Sequence, residues 1–313
     1  MKHVQFHQHG AVDVLEIRES EVPNPESGQQ LVKVTLAGVN FIDIYHRRGQ
    51  YQVPMPSGIG IEGIGLTEAG QRVFWLNQLG SYSQYVIVSD HHLTPIPDSP
   101  LTDAQLLPLL CQGLTAHYLV DSAYPSRQGE IALVTAAVGG VGLLLIQLLK
   151  SRGVTVVACA STSERAEVAK HHGADFVGTY EELTDLVNAA THGKGVNVVY
   201  DSVGKDTFDR CLESLAPSGM YILYGAASGA VPPFDLMRLN SKSLGIRRPT
   251  LATYTASRTE RERRLSNLID DVQRGVLTYP DTKIYPLDAA KDAQELIESR
   301  RYSGKIGIAP WNL

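Results

Sequence analysis

Residues 135–142 read Thr-Ala-Ala-Val-Gly-Gly-Val-Gly and follow directly on the apolar run Ile-Ala-Leu-Val. A dinucleotide-binding turn needs a strand, a tight turn, small residues where the backbone meets a pyrophosphate, and a helix start. Ala137, Gly139 and Gly142 occupy the three small positions of G-x-G-x-x-G, and an apolar helix opens at once with Val-Gly-Leu-Leu-Leu. Its first amides can face an anion. The cluster therefore reads as a phosphate cradle through Ala137, Val138, Gly139, Gly140, Val141 and Gly142; the competing reading is a tight strand–helix turn. A site selective for NAD places an acid at the tip of the next strand, where it holds the ribose 2′-hydroxyl. Here that tip carries Ala160, Ser161 and Thr162, with Arg165 close behind. A hydroxyl and a guanidinium suit a 2′-phosphate, so the expected cofactor is NADPH. Glu164 is the residue that could instead read the ribose.

Metal chemistry finds little support. A catalytic zinc takes three protein ligands such as Cys and His and keeps one position open. The turn at 60–62 reads Gly-Ile-Glu, and isoleucine cannot bind metal. Cys111, Cys159 and Cys211 are the three cysteines; they are far apart, and none precedes Cys111. The paired histidines His91-His92 and His171-His172 read as solvated. The expectation is no metal. The same cysteine usage gives no disulfide framework.

The elements that must position these residues fall into two rhythms. The first hundred residues are strand-like and punctuated by Pro23, Pro25, Pro54, Pro56, Gly58 and Gly60. Residues 30–40 and 80–89 carry the alternation of half-buried strands. From Ile131 onward, apolar runs beginning at Ile131, Val154, Asp175, Val196, Gly219 and Ser243 alternate with helical stretches, several closing on glycine. Strand–helix alternation with six buried strands predicts an α/β fold, a Rossmann doubly wound parallel sheet. The stretch 205–219 is expected to be helix. The last sixty residues hold an amphipathic helix marked by Leu265, Leu268, Ile269 and Val272, a second helix, and a final Gly-Lys-Ile-Gly-Ile-Ala-Pro run. These are expected to return to the first domain, giving 1–115 with 255–313 as one domain and 116–254 as the other.

The 313 residues are 43% hydrophobic and 19% charged, with a net charge of −5. That is an ordinary globular composition, and the charge argues against a general nucleic-acid binder. The first residues lack an apolar signal core and no membrane-length apolar run occurs, so the chain reads as cytoplasmic.

With these motifs in order, the sequence resembles the zinc-independent quinone oxidoreductases, the zeta-crystallin-like branch of the medium-chain dehydrogenase/reductase superfamily. The resemblance rests on residues 38–51 (GVNFIDIYHRRGQY), the PSGIGIEGIG turn, the nucleotide turn with Gln147 and Lys150, VVYDSVG at 198–204, YGAASG at 224–229 and RPTLATY at 248–254. It covers nearly the whole chain. It implies a β-rich GroES-like catalytic domain beside the Rossmann domain. It also implies transfer of hydride from NADPH to a quinone without metal, and a homodimer joined through the SLGIRR edge strand. Without a metal to polarise a carbonyl, alcohol oxidation is disfavoured, whereas a quinone delocalises incoming charge itself. The alternatives are a reductase of α,β-unsaturated carbonyls, or a non-catalytic NADPH- or RNA-binding protein.

The matched segments nominate catalytic residues. Asn40 can donate to a carbonyl or a ribose, or merely cap a loop. Asp43 brackets the site or is an ordinary acid of a helix start. Tyr45 and Tyr51 can stack on a planar acceptor and donate a phenolic hydrogen bond, or pack. Arg248 faces the pocket or forms a structural salt bridge. For the cofactor the resemblance adds Thr115, Tyr180, Ser202, Val203, Tyr224, Gly225, Ala226 and Arg300. Two departures stand out: Val138 replaces a smaller residue, and the hairpin between Gly65 and Arg72 is short, which alters the pocket rim.

Overall fold

The computed structural model of the chain describes residues 1–311. It divides into two compact units. The first comprises Met1–Cys111, Thr255–Ile269 and Pro280–Leu313; the second comprises Gln112–Tyr254 and Asp270–Tyr279. Residues 112–115 and 270–279 thus fall on the other side of the expected division. The reason lies in their partners. Gln112 packs its side chain over Gly140. Gln147 binds the backbone of Thr278 through both amide ends, at 2.9 Å to its carbonyl and 2.8 Å from its N–H.

The first unit is mostly antiparallel sheet. Strands β1 (Lys2–Phe6), β2 (Glu16–Glu19), β3 (Gln29–Val39), β4 (Ser57–Gly58), β5 (Glu62–Thr67), β6 (Arg72–Leu76), β7 (Tyr85–Ser89) and β8 (Leu93–Pro95) precede the six strands of the second unit. After those come β15 (Lys283–Pro286) and β16 (Ile306–Ala309). The main sheet runs β15-β16-β3-β5-β6-β8, with β7 also on β3. The predicted strand at 80–89 begins only at Tyr85, because Gly80, with φ 100°, turns the chain first. Val32, Val34, Val73, Trp75, Tyr82 and Ile306 are fully or almost fully buried and form its core. The final strand does join this unit, as expected.

Two registers decide the site. β5 pairs antiparallel with β3, Ala37 opposite Gly63. β16 pairs antiparallel with the other edge of β3, Ile306 opposite Val39. The residue that follows β3 therefore lies between the residue that starts β5 and the residue just before β16. Those are Asn40, Glu62 and Lys305.

The second unit is the expected doubly wound sheet. Strands β9 (Ile131–Val134), β10 (Thr155–Ala160), β11 (Phe176–Thr179), β12 (Val196–Asp201), β13 (Leu215–Leu223) and β14 (Gly245–Arg247) stand in the order β11-β10-β9-β12-β13-β14, all parallel. The order reverses between β9 and β12, and ligands of such sheets bind at the carboxyl ends beside that switch. Helices Gly140–Ser151, Ser163–His171 and Leu183–Thr191 form where the sequence places them. The expected helix at 205–219 is shorter. It covers Phe208–Glu213, and Leu215 already enters β13. Pairing with β12 pulls these residues into the sheet, with a register shift that absorbs Pro217 and the left-handed Ser218 (φ 62°).

Candidate active site

The nucleotide turn is built by β9 and the helix Gly140–Ser151. Ala136 adopts a left-handed φ of 46°. Its N–H donates to the Tyr180 hydroxyl at 3.1 Å, and the Ala137 N–H donates to the Cys159 carbonyl of β10. The Gly139 N–H closes back on the Ala136 carbonyl at 2.8 Å. Among the described residues, the amides of Val138, Gly140, Val141 and Gly142 are left without acceptors. Four unpaired N–H groups at the positive end of a helix make an anion site. A Cβ on Gly142 would lie 2.6 Å from the Ala137 carbonyl oxygen, so only glycine lets the helix start this close to the turn. Val138 is buried at 1% exposure. Burial raises the Tyr180 hydroxyl to about 12, so it remains a neutral partner of the turn.

At the tip of β10, Ser161 is exposed and Arg165 is half-buried. Thr162 caps the helix Ser163–His171, accepting from the Arg165 N–H at 3.3 Å, so the Arg165 backbone sits in the first helical turn. Glu164 is exposed beside Thr162, whose hydrogen bond holds its carboxyl below the usual range.

At the tip of β12, the carboxylate of Asp201 is wholly buried. It accepts from Thr135 Oγ1 (2.5 Å), Val203 N (2.8 Å), Thr207 Oγ1 (2.8 Å) and Tyr221 Oη (2.6 Å). This ties the ends of β9, β12 and β13 together and fixes the loop holding Ser202 and Val203. Gly225 faces that loop so closely that a Cβ would lie 2.7 Å from the Ser202 carbonyl. Tyr224 and Ala226 flank it, both half-buried, and burial pushes the Tyr224 hydroxyl up. Thr115 is nearly buried in the helix Cys111–Tyr118. Arg248 is exposed after β14; its guanidinium donates to the Pro249 carbonyl at 3.2 Å and forms no salt bridge among the described residues.

In the first unit, Asn40 follows β3 and is the N-cap of the helix Phe41–Arg47. The helix opens with a capping box in which the Asn40 N–H donates to Asp43 Oδ2, and the Asn40 amide also reaches beyond the helix. Nδ2 donates to Glu62 Oε1 at 2.7 Å, and Oδ1 accepts from Lys305 Nζ at 3.0 Å. Lys305 also pairs with Glu62 Oε1, and neither side chain is exposed. Glu62 Oε2 accepts the Cys111 N–H at 2.8 Å. Asp43 is likewise fully enclosed: Oδ2 accepts from the Asn40 N–H (2.8 Å) and the Tyr82 hydroxyl (2.9 Å), while Oδ1 has no partner. Burial raises the Asp43 carboxyl to about 7. Tyr45 and Tyr51 meet edge to face, centroids 5.6 Å apart, with Tyr51 45% exposed. Arg300 is exposed in the same unit, with a left-handed φ of 57°.

The residues that sequence reasoning left without roles are Glu62, Lys305 and Tyr82. A lone lysine at the mouth of a buried Ile-Gly-Ile-Ala strand was the available signal. The donor set does not fit a divalent metal. Both Glu62 oxygens are occupied, an ammonium sits against one of them, and burial pushes the Cys111 thiol up, away from the thiolate a metal needs. No group of three His, Cys, Asp or Glu side chains among the described residues could hold a metal ion.

Comparison with known families follows this geometry. Residues 26–98 match the model described as Alcohol dehydrogenase GroES-like domain, and residues 140–270 the model described as Zinc-binding dehydrogenase. The fold and site thus define a two-unit dehydrogenase/reductase of the medium-chain class. The chain belongs to the quinone oxidoreductase family of that superfamily. It is 37% identical to a probable quinone oxidoreductase of Schizosaccharomyces pombe, over 97% of this chain and 95% of the relative. It is 35% identical to a 2-haloacrylate reductase of a Burkholderia species, over 97% and 98%. The solved quinone oxidoreductase of Escherichia coli, complexed with NADPH, superposes with a TM-score of 0.93 at 33% identity, covering 99% of this chain and all of that one.

Proposed function

We propose that the chain is an NADPH-dependent quinone reductase that works without a metal. The observation that carries this reading is the set of four unpaired amides at the glycine turn, in a chain whose fold matches a quinone oxidoreductase crystallised with NADPH. The amides of Val138, Gly140, Val141 and Gly142 would hold the pyrophosphate. Ser161 and Arg165 would hold the 2′-phosphate. Ser202, Val203, Tyr224, Gly225 and Ala226 would line the path of the nucleotide, with Thr115, Tyr180 and Arg300 as further contacts. When bound, NADPH supplies the hydride.

The remaining work falls to the first unit and to Arg248. Asn40 donates an N–H to the acceptor oxygen as negative charge builds on it. Asp43, enclosed and bound to the Asn40 backbone, positions that residue rather than touching substrate. Tyr45 and Tyr51 offer ring faces and hydroxyls to a planar acceptor. Arg248, in no ion pair among the described residues, is available to a polar substituent.

A reductase of activated alkenes is the second reading, favoured by the likeness to the 2-haloacrylate reductase. It uses the same residues. We further assign the protein to the cytoplasm and to a homodimer. No helix among the described residues is long and apolar enough to cross a membrane. Strand β14 ends its sheet, and Leu236 and Met237 nearby are 70% and 68% exposed. Pairing of two copies would cover both.

The test is a fluorescence titration with NADPH and NADH in parallel, followed by 1,4-benzoquinone and an activated alkene. Tight NADPH binding with quinone-dependent oxidation supports the reading. Oxidation by the alkene alone selects the second. Binding without oxidation by either sinks both.

A further inference from the structure

The orientation of a side-chain amide is usually settled by weak preferences. At Asn40 it is settled by two opposite charges. The Lys305 ammonium takes Oδ1 at 3.0 Å and the Glu62 carboxylate takes one Nδ2–H at 2.7 Å. Turning the amide over would put N–H groups against an ammonium and a carbonyl against a carboxylate. We propose that Lys305 and Glu62 are positioning residues that lock the Asn40 amide with its second N–H presented to the oxygen of the acceptor. The proposal deepens the quinone-reductase reading above and rests on it.

Three features converge on this. The first is register. β3 is flanked on one side by β5 and on the other by β16, so the two residues reach Asn40 from opposite edges of its strand and their charged groups meet at its amide. The second is enclosure. Lys305 and Glu62 have no exposed side-chain surface, whereas Asn40 keeps 6%, and its second N–H has no acceptor among the described residues. A buried ion pair is weak evidence for stability alone, because desolvation offsets the attraction. This pair instead has both of its inner faces on one amide. The third is polarisation. A cation on Oδ1 draws electron density from the amide and makes Nδ2–H a stronger donor, and hydrogen bonds in a low dielectric reinforce one another.

The room for Glu62 is also built in. The side chain lies across Gly38 of β3, where a Cβ would come within 2.6 Å of the Glu62 carboxyl carbon. Glu62 Oε2 is anchored separately by the Cys111 N–H, so the carboxylate cannot swing away from Asn40 without losing a second bond.

The experiment uses full-length protein with selectively 15N-labelled asparagine side chains, and NADPH with 1,4-benzoquinone. In the unsubstituted protein the two Asn40 Nδ2 protons should give separate resonances, the one bound to Glu62 protected from solvent exchange. The double variant Glu62→Gln/Lys305→Met removes both charges together and leaves no lone buried ion. Folded by circular dichroism, it should lose that protection, bind NADPH within about twofold of the original, and lose about thirtyfold in kcat. Lys305→Arg, which keeps a cationic donor, should retain protection and most of kcat. Unprotected Asn40 protons in the unsubstituted protein overturn the lock, whatever the variants do. So does a folded double variant whose kcat stays within about threefold. Absence of quinone turnover in the unsubstituted protein, with the amide protons protected, overturns the reductase reading and leaves the lock standing.

Discussion

Gly38 and Glu62 share one volume: a side chain on the first would occupy the space of the carboxylate on the second, with its Cβ 2.6 Å from the carboxyl carbon. Because Glu62 is tied to Lys305, Asn40 and the Cys111 N–H, it cannot yield freely. Gly38→Ala is therefore expected to destabilise the first unit by about 2 kcal/mol through overpacking, and to lower kcat more than NADPH affinity. Thermal unfolding and a kcat-against-Kd comparison check this; an unchanged Tm would show that Glu62 has a second resting place.

At the nucleotide turn two glycines differ in what a methyl group would meet. At Gly142 it meets the backbone carbonyl of Ala137 at 2.6 Å, whereas at Gly140 it meets only the side chain of Gln112. Gly142→Ala should weaken NADPH binding at least about tenfold by prising the helix from the turn, and Gly140→Ala much less, since Gln112 can rotate away. Equal losses in parallel titrations would contradict this ordering.

Arg165, in the first turn of the helix Ser163–His171, is the residue proposed to meet the 2′-phosphate by which the cofactors differ. Arg165→Ala should weaken NADPH roughly 10- to 100-fold and leave NADH nearly unchanged. If both fall together, the residue supports the helix and does not read the 2′-phosphate.

Asp43 makes stability pH-dependent with an unusual sign. Its folded carboxyl titrates near 7, raised chiefly by burial, while unfolded it returns to the ordinary carboxylate range near 4. Below that range both states are protonated. From about 4 to 7 the unfolded chain releases a proton that the folded chain keeps, so this residue's contribution falls as pH rises, by on the order of 4 kcal/mol. The groups facing it are Tyr82, Glu62 and Lys305. Asp43→Asn should remove this slope, which urea titrations at pH 5 and pH 8 would measure. A slope that survives the substitution assigns it elsewhere.

Asp201 is buried and bound only by neutral donors. Asp201→Asn turns one acceptor oxygen into a donor facing donors. A loss of about 3 kcal/mol in unfolding free energy is expected, together with weaker NADPH binding as the loop of Ser202 and Val203 loosens. Unaltered stability would mean that the neighbouring hydroxyls re-pair without it.

Much of this protein was legible along the chain. The six strands of the second unit, their alternation with helices and the glycine turn follow from local rules, because a buried parallel strand is apolar along its length and a phosphate turn tolerates only small residues. The family resemblance of residues 38–51, rather than these local rules, named Asn40 and Asp43. Local reasoning extended a helix over residues 215–218, because local composition says nothing of the ladder with β12 that starts the strand at Leu215. It also assigned residues 270–279 to the first unit, missing the bonds from Gln147 that hold Thr278 in the second. Tertiary structure alone decided which charges meet. Asn40, Glu62 and Lys305 are 22 and 243 positions apart along the two bonds that Glu62 makes to them. They become neighbours only because β3 pairs antiparallel on both edges, and a strand's register across a sheet is set by which face is buried, not by the residues at its ends.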